Sequence, residues 1–487
     1  MTNPRRWPSS LVLAIGAVTL GVALLLVVQL PMDPNIEVTR SDSPFTDEGW
    51  SVLGARNVAV LGRWFTDEWQ LAIAQLPFNV AVLAVFKAFG VGIIQARVVS
   101  VLASLVAVAV LGLLVARRFG VVSGAAASLA LGMTPLFLFY GHLALLEPTV
   151  MGALVVGMAA VVASRERGVL RPGLAAGAAM AIALGTKPSA AAPILGIMAG
   201  ALLAAGAERP QVVRRCAVAV AVMTGTALAW LGGVALLSIS VVAALRPWPE
   251  TGFLSAPDVL AARAWEYVTG GNDNATQLLG VLLGGALLGL LVLRLGRTRL
   301  DPGQRLLIGA AAGWAIAGLA VLLVAGYRPN RYLVPLLPAL AVLMGVGAGR
   351  LLTARPRTRL SGGLLGTALL IAIVWPGAAN LQRWFAIATY RLPEIQRELA
   401  AILPSGAVVQ GWFAPTLAMR APVTTIIAQG EVNRGDTYER LGVRWLLLER
   451  RGEPVDWIED HMDAWADRES MGCWNWQRGE TCLHRLP

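Results

Sequence analysis

The run VVSVLASLVAVAVLGLLVA at residues 98–116 decides the fold class of this chain. It contains no ionisable side chain, and it is bounded by Arg97 on one side and by Arg117 and Arg118 on the other. A helix of about 20 apolar residues is long enough to cross the hydrocarbon core of a bilayer. The sequence therefore predicts a transmembrane helix over 98–116.

The same pattern recurs and predicts an α-helical polytopic membrane protein with about eleven transmembrane helices. Of the 487 residues, 56% are hydrophobic and only 14% are charged, whereas a soluble domain has about 25% charged residues. Such a chain cannot cover a globule with polar surface, so lipid must form part of its solvent. The other predicted spans lie near 11–30, 121–140, 148–163, 172–186, 189–206, 216–237, 277–293, 306–326, 332–349 and 362–379.

The loops between these runs predict the topology. The formal charge of +11 comes from arginines that cluster in alternate loops, and basic loops stay in the cytoplasm. This pattern indicates a cytoplasmic N-terminus and a topological role for the basic residues, not nucleic-acid binding. The first span lacks an A-x-A-like cleavage site and is expected to remain as an uncleaved signal anchor.

Residues 71–86 form a short apolar stretch that contains Pro77. If this stretch crossed the membrane, every later loop would change sides and the arginine clusters would lie outside, against the positive-inside rule. It is therefore expected to be an interfacial or re-entrant helix in a long first outer loop, residues 31–97.

The chain divides into a transmembrane domain, 1–380, and a small extracytoplasmic α/β domain, 381–487. The second domain is expected to contain an amphipathic helix near 392–403, short strands near 407–410, 423–427 and 445–448, and a Trp-rich end. Cys473 and Cys482 could close a disulfide in an oxidising compartment. A metal site there would need more ligands than the nearby His484 supplies.

The candidate chemistry lies between the spans, because no predicted span contains Asp, Glu, Lys or Arg. An ion-coupled transporter usually needs such groups near the bilayer midplane. Polar groups instead gather where spans emerge on the predicted outer face, which indicates a site at the membrane–water boundary. They are Asp47, Glu48, His142, Glu147, Lys187, Arg328 and Arg331.

Four motifs carry a resemblance to a known superfamily. In order and spacing they resemble the multi-pass glycosyltransferases that use polyprenyl-phosphate-linked sugars, a group that includes protein O-mannosyltransferases and bacterial aminoarabinose transferases. One departure is His142, which stands where many members place Arg. The motifs are Thr46-Asp47-Glu48-Gly49-Trp50, Leu145-Leu146-Glu147-Pro148, Thr186-Lys187-Pro188, and Arg331-Tyr332 with Pro335 and Pro338.

The resemblance implies an inverting transfer of sugar from a polyprenyl phosphate to the hydroxyl of a glycan, lipid or protein acceptor at the cell membrane. Asp47 would be the general base, with Glu48 or Glu147 orienting the acceptor or sugar. No cofactor and no metal is expected. The cations that would hold the departing phosphate are Lys187, Arg328 and Arg331, with His142 and Arg97 as weaker candidates.

Other interpretations remain open from the sequence. Asp47, Glu48 and Glu147 could cap helices, Lys187 could snorkel from a helix end, and Arg328 and Arg331 could be interfacial anchors. The rival functions are a flippase or transporter for lipid-linked sugars, a non-enzymatic scaffold, and a metal-dependent relative resembling oligosaccharyltransferase. Against the last of these, Asp47 and Glu48 have no residue between them, and no further metal ligands are evident.

Overall fold

The computed structural model describes residues 9–34, 45, 47–67, 75–163, 167–236, 284, 286, 300–324, 329–353, 359–427, 437–449, 465, 467–476 and 479–487. The predicted span 277–293 and the loop 238–276 lie essentially outside these residues. Among the described residues, four helices are long and apolar enough to cross a membrane: Ile93–Phe119, Gly206–Gly233, Pro302–Val324 and Asn330–Leu352.

The membrane region is an assembly of apolar helices, in agreement with the predicted class. Large apolar side chains point away from the protein, with Leu203 87%, Leu13 71% and Ile316 69% exposed, as expected for helices that face lipid. Its helices are α1 (Ser9–Val28), α5 (Ile93–Phe119), α6 (Val121–Gly132), α7 (Pro135–Tyr140), α8 (Leu146–Val161), α9 (Leu170–Thr186), α10 (Ala191–Ala204), α11 (Arg209–Leu236), α12 (Pro302–Val324), α13 (Leu337–Leu352) and α14 (Arg359–Ala386).

Two differences from the predicted spans have local causes. The run 121–140 is divided into α6 and α7, because Thr134 precedes Pro135 and adopts an extended conformation, which proline imposes on the residue before it. The run 332–349 begins as a 3₁₀ helix, Asn330–Leu336, which contains Pro335 and continues directly into α13.

Small residues let α10 and α12 approach closely. A Cβ added at Gly313 would lie 2.9 Å from the Cα of Gly200, and one added at Gly309 would meet the Gly200 carbonyl group. Close contact through glycine is a common way for helices to associate in lipid, where apolar burial alone gives little driving force. This contact fixes α10 against α12.

The first loop contributes three helices that pack against the C-terminal segment. They are α2 (Asp47–Ser51), α3 (Leu53–Leu61) and α4 (Leu76–Phe89). Helix α4 buries Phe78, Val82 and Phe86 in the same core as Leu392 and Ile395. The apolar character of 71–86 is therefore partly explained by packing on protein.

The C-terminal segment forms a five-stranded mixed sheet in the order β2-β1-β3-β5-β4. Strands β1 and β2, and β1 and β3, are parallel, while β5 pairs antiparallel with both β3 and β4. The elements are α15 (Leu392–Ile402), β1 (Val408–Gln410), α16 (Ala414–Leu417), β2 (Thr424–Ile426), α17 (Thr437–Arg440), β3 (Trp445–Glu449), β4 (Glu469–Trp476) and β5 (Gly479–Arg485).

The predicted helix and three strands of this segment are confirmed, while the Trp-rich end is a β4–β5 hairpin that the sequence interpretation did not resolve into strands. Cys473 and Cys482 stand opposite each other in that hairpin and form the disulfide. The boundary placed at 380 falls inside α14, which runs to Ala386.

Candidate functional site

Four charged side chains from separate parts of the chain converge on one cluster. The Lys187 Nζ lies 2.5 Å from the Glu147 Oε1, and an Arg331 guanidinium nitrogen lies 2.6 Å from the Asp47 Oδ2. The Arg331 Nε lies 3.6 Å from the same Glu147 oxygen. The order Asp47–Arg331–Glu147–Lys187 therefore alternates acid and base, and two carboxylates and two cations share one small volume. We call these four residues the charged cluster.

Helix ends deliver the members of the cluster. Asp47 begins α2 and Glu147 lies in the first turn of α8. Lys187 directly follows α9 with φ −153° and ψ 119°, the extended conformation favoured before a proline, here Pro188. Arg331 is in the 3₁₀ helix that precedes α13.

The ring of Tyr332 packs against Lys187 of the charged cluster. The Lys187 Nζ lies 3.5 Å from the centre of the Tyr332 ring, within the range of a cation–π interaction. The ring orients the ammonium without neutralising its charge. Lys187 and Tyr332 also line a small, mostly apolar crevice, together with Val150, Pro193, Trp314, Gly318, Leu322 and Leu336 among others.

The four side chains of the charged cluster differ in their exposure to solvent. The side chain of Glu147 is 2% exposed, whereas Lys187 is 14%, Arg331 is 16% and Asp47 is 24% exposed. Burial raises the pKa of Asp47 above its usual value, and the nearby Arg331 charge only partly opposes this. A carboxylate with a raised pKa is a better proton acceptor. Asp47 thus combines access with basicity.

Glu48 and Arg97 form a second ion pair that is fully buried. The Arg97 Nε and a second guanidinium nitrogen donate to the two Glu48 oxygens at 2.7 and 2.6 Å. The same guanidinium donates to the carbonyls of Leu30 and Met32, and Glu48 also accepts from the Ala144 backbone N–H. Both side chains are no more than 1% exposed, so this geometry favours positioning over contact with a ligand.

His142 lies apart from the charged cluster in an aromatic group. Its ring centre is 5.4 Å from that of Trp384 and 6.5 Å from that of Phe139. Burial lowers the pKa of His142 to about 3, so the imidazole is neutral at physiological pH. A neutral imidazole supplies no positive charge to a phosphate.

Arg328 lies outside the described residues. Within the described part of the chain, one group of side chains has the spacing of metal ligands, namely Cys473, Glu480 and Cys482. Its two sulfurs are joined in the disulfide, and a disulfide offers no thiolate to a metal.

Three residues that the sequence interpretation missed hold the first loop in place, and two of them, Asp33 and Arg56, fix it to the C-terminal segment. Asp33 accepts from the backbone N–H groups of Arg391 and Leu392, both at 2.9 Å. Arg56 is buried and donates to three backbone carbonyls, and Asn79 bridges backbone groups of α3 and α2. The sequence did offer a signal for two of these residues, because Arg56 and Asn79 are polar residues within apolar stretches.

The fold is similar to those of two proteins of known structure, ArnT and the oligosaccharyltransferase AglB, so the resemblance is confirmed at the level of the fold. The crystal structure of ArnT from Cupriavidus metallidurans in the apo state superposes with a TM-score of 0.64 at 16% identity, over 96% of this chain and 97% of that chain. ArnT bound to undecaprenyl phosphate gives a TM-score of 0.60 at 18% identity, over the same 96% and 97%.

A second type of protein shares the fold. The archaeal oligosaccharyltransferase AglB from Archaeoglobus fulgidus, in complex with an inhibitory peptide and a dolichol-phosphate, gives a TM-score of 0.55 at 12% identity. That match covers 89% of this chain and 69% of AglB. No protein-family model and no curated protein matches the chain by sequence.

Proposed function

We propose that the protein transfers a sugar from a polyprenyl-phosphate donor to an acceptor hydroxyl, with Asp47 as the general base. The observation that carries the proposal is the charged cluster, which pairs an accessible carboxylate with two cations beside an apolar crevice. The fold supports it, because ArnT and AglB bind undecaprenyl phosphate and a dolichol-phosphate respectively in their crystal structures.

The residues suit a single displacement. Lys187 and Arg331 would hold the donor phosphate from two sides, with the lipid chain in the adjacent crevice. Asp47 would take the proton of the acceptor hydroxyl while the oxygen of that hydroxyl bonds to the anomeric carbon of the sugar. The bond from that carbon to the phosphate oxygen breaks, and its electron pair leaves with the lipid phosphate. Attack opposite the leaving group inverts the anomeric centre, by analogy with inverting hydrolases.

The remaining acidic and basic residues would prepare this geometry. Glu147 contacts both proposed phosphate ligands, Lys187 and Arg331, so it can hold them in place before the donor arrives. The buried ion pair of Glu48 and Arg97 would position Asp47, which is the residue next to Glu48. His142 has no place in the proposed phosphate clamp, because its ring is buried, neutral and packed among aromatic side chains.

The proposed site faces the extracytoplasmic side, together with the C-terminal segment. A labelling experiment in intact cells tests this in a background that lacks the native cysteines. Glu394→Cys, at a side chain that is 44% exposed in the first turn of α15, should react with a membrane-impermeant maleimide. Arg117→Cys, at the far end of α5, should react only after the cells are opened. The reverse labelling pattern would contradict this orientation.

The phosphate clamp predicts a loss of affinity for the lipid phosphate alone. Lys187→Ala and Arg331→Ala should each weaken binding of bare undecaprenyl phosphate by about 10- to 100-fold, since a charge-assisted hydrogen bond contributes about 1.5–3 kcal/mol. Both should slow transfer further, because the negative charge on the phosphate grows in the transition state. Binding would be measured with the full-length protein in nanodiscs.

Lys87→Ala is the matched control, because Lys87 is an exposed lysine at the end of α4. It should leave the affinity unchanged. Normal affinity in both clamp variants would show that Lys187 and Arg331 are interfacial anchors. Weakened binding with no sugar transfer to any acceptor would favour a transporter of lipid-linked sugars.

A further inference from the structure

The helix that carries Asp47 lies directly against the C-terminal segment. A Cβ added at Gly49 would come within 2.6 Å of the Pro415 carbonyl carbon and would also meet the backbone nitrogen of Thr416. Only glycine therefore permits α2 to sit this close to α16. We call the contact between residues 47–51 and 411–417 the seam.

Two tryptophans, one from each side, stand at the seam. The ring centres of Trp50 and Trp412 are 5.1 Å apart, and the planes are inclined by 50°. The Trp50 Nε1 donates to the Trp412 carbonyl oxygen at 3.1 Å, which fixes the Trp50 ring. Both side chains remain partly exposed. The pair is thus an ordered aromatic surface that solvent can reach.

This surface lies beside the proposed general base. Asp47 and Trp50 are three residues apart in α2, and residues with this spacing are neighbours on one side of a helix. Asp47 is itself 24% exposed. A molecule resting on the indoles would therefore lie next to the carboxylate.

The sheet topology independently marks the same place. Strand β1 lies between β2 and β3, so the chain leaves β1 toward one side and later returns to its other side. In α/β sheets such a reversal opens a ligand-binding crevice outside the carboxyl ends of the parallel strands. Trp412 is the second residue beyond the carboxyl end of β1. Between them, Gly411 has φ +147° and lies against the backbone of Leu447, which turns the chain toward the seam.

We propose that Trp50 and Trp412 form an acceptor subsite for the ring of a saccharide. This inference rests on the proposed function and adds the chemical class of the acceptor. One face of a pyranose ring consists of C–H groups that pack against the negative face of an aromatic ring, while its hydroxyls point outward. On this surface one acceptor hydroxyl would reach Asp47, and the proton would pass to that carboxylate as described above.

A peptide acceptor fits the seam less well. An extended peptide is recognised mainly by main-chain hydrogen bonds to an exposed sheet edge, with pockets for alternate side chains. At the seam, β1 is paired on both sides, with β2 and with β3, so it offers no edge. Trp50 and Trp412 instead form a partly exposed pair of aromatic rings, which suits a saccharide ring.

The test uses full-length protein in fluorescent nanodiscs on an array of immobilised pyranose oligosaccharides, with a peptide array beside it. The wild-type protein should bind at least one saccharide. Trp412→Ala should lower that binding by about tenfold or more, and Trp412→Phe, which keeps a ring, should retain part of it. Trp375→Ala removes a tryptophan that is 68% exposed on the membrane helix α14, and it should have no effect.

Thermal unfolding of the variants is compared with wild type to show that they are folded, and each binding outcome then supports or overturns the acceptor subsite. Absence of saccharide binding, or equal binding by Trp412→Ala, overturns the subsite. Binding to peptides that Trp412→Ala abolishes assigns the seam to a protein acceptor and also overturns it. The affinity for bare undecaprenyl phosphate is measured on the same samples. If wild type fails to bind that lipid yet binds saccharide through Trp412, the proposed transferase function fails and the subsite stands.

Discussion

Asp47→Asn is expected to lower the turnover of sugar transfer by about 10²- to 10⁴-fold, the usual contribution of a general base. Asparagine has nearly the same shape as aspartate but cannot accept the acceptor proton. The variant loses its ion pair with Arg331, which leaves Glu147 as the acidic neighbour of that guanidinium, so the affinity for bare lipid phosphate should be at least as high as in wild type. Turnover and lipid binding would be measured on the same nanodisc preparation.

The pH dependence of transfer gives a second readout of Asp47. A base acts in its deprotonated form, so activity falls as pH drops through its pKa. Because burial raises the pKa of Asp47, the acidic decline should occur at higher pH than for an exposed aspartate. Asp67→Asn, in the same loop, should keep both the rate and the profile. Undiminished transfer by a well-folded Asp47→Asn protein would remove Asp47 from the mechanism.

Arg97→Met is expected to lower the stability of the folded protein by about 3–5 kcal/mol, because it leaves the Glu48 carboxylate buried without its cation. The double variant Glu48→Gln, Arg97→Met removes both charges and should recover part of that loss. The midpoints of unfolding in denaturant would give the difference for each variant. A matched change at the surface is Arg391→Met, since Arg391 is 45% exposed.

This comparison also separates two roles for Arg97. A positioning residue should alter stability and turnover while the affinity of the remaining folded protein for bare lipid phosphate stays nearly normal. If Arg97→Met leaves unfolding unchanged but abolishes lipid-phosphate binding, Arg97 contacts the phosphate directly. The two outcomes cannot be confused, because they move different measurements.

Local hydrophobic patterns made the helices and three strands of the small sheet predictable. The amphipathic helix near 392–403 is observed at Leu392–Ile402, and the strand near 445–448 at Trp445–Glu449. Each of these patterns is local, since the helix buries one face and the strand is a short apolar run that is buried along most of its length. The β4–β5 hairpin was harder to recognise, since its residues are mixed in character and its register is fixed by pairing with β3.

The sequence alone could not show which charged residues pair with each other, because the partners are distant along the chain. The charged residues near 47, 147, 187 and 331 were recognisable as a set, because three of them stand at the end of an apolar run and Asp47 lies in a motif of the first outer loop. Their partners were not, since the charge of Glu48 looks the same in sequence as that of Asp47. Only the fold separates a carboxylate clasped by Arg97 from one that reaches solvent.

The packing of the first loop on the C-terminal segment has a consequence for biosynthesis. Trp50 and its partner Trp412 are 362 residues apart, a distance that a ribosome covers in roughly 20 to 70 s at about 5–20 residues per second. Until the later segment is made, α2 lacks the surface that places Asp47. A nascent or truncated chain can therefore be inserted in the membrane while Asp47, the proposed base, still lacks the contact that positions it. Under the proposed function, competence for transfer would arise only once the C-terminal segment, about the last fifth of the polypeptide, has been made.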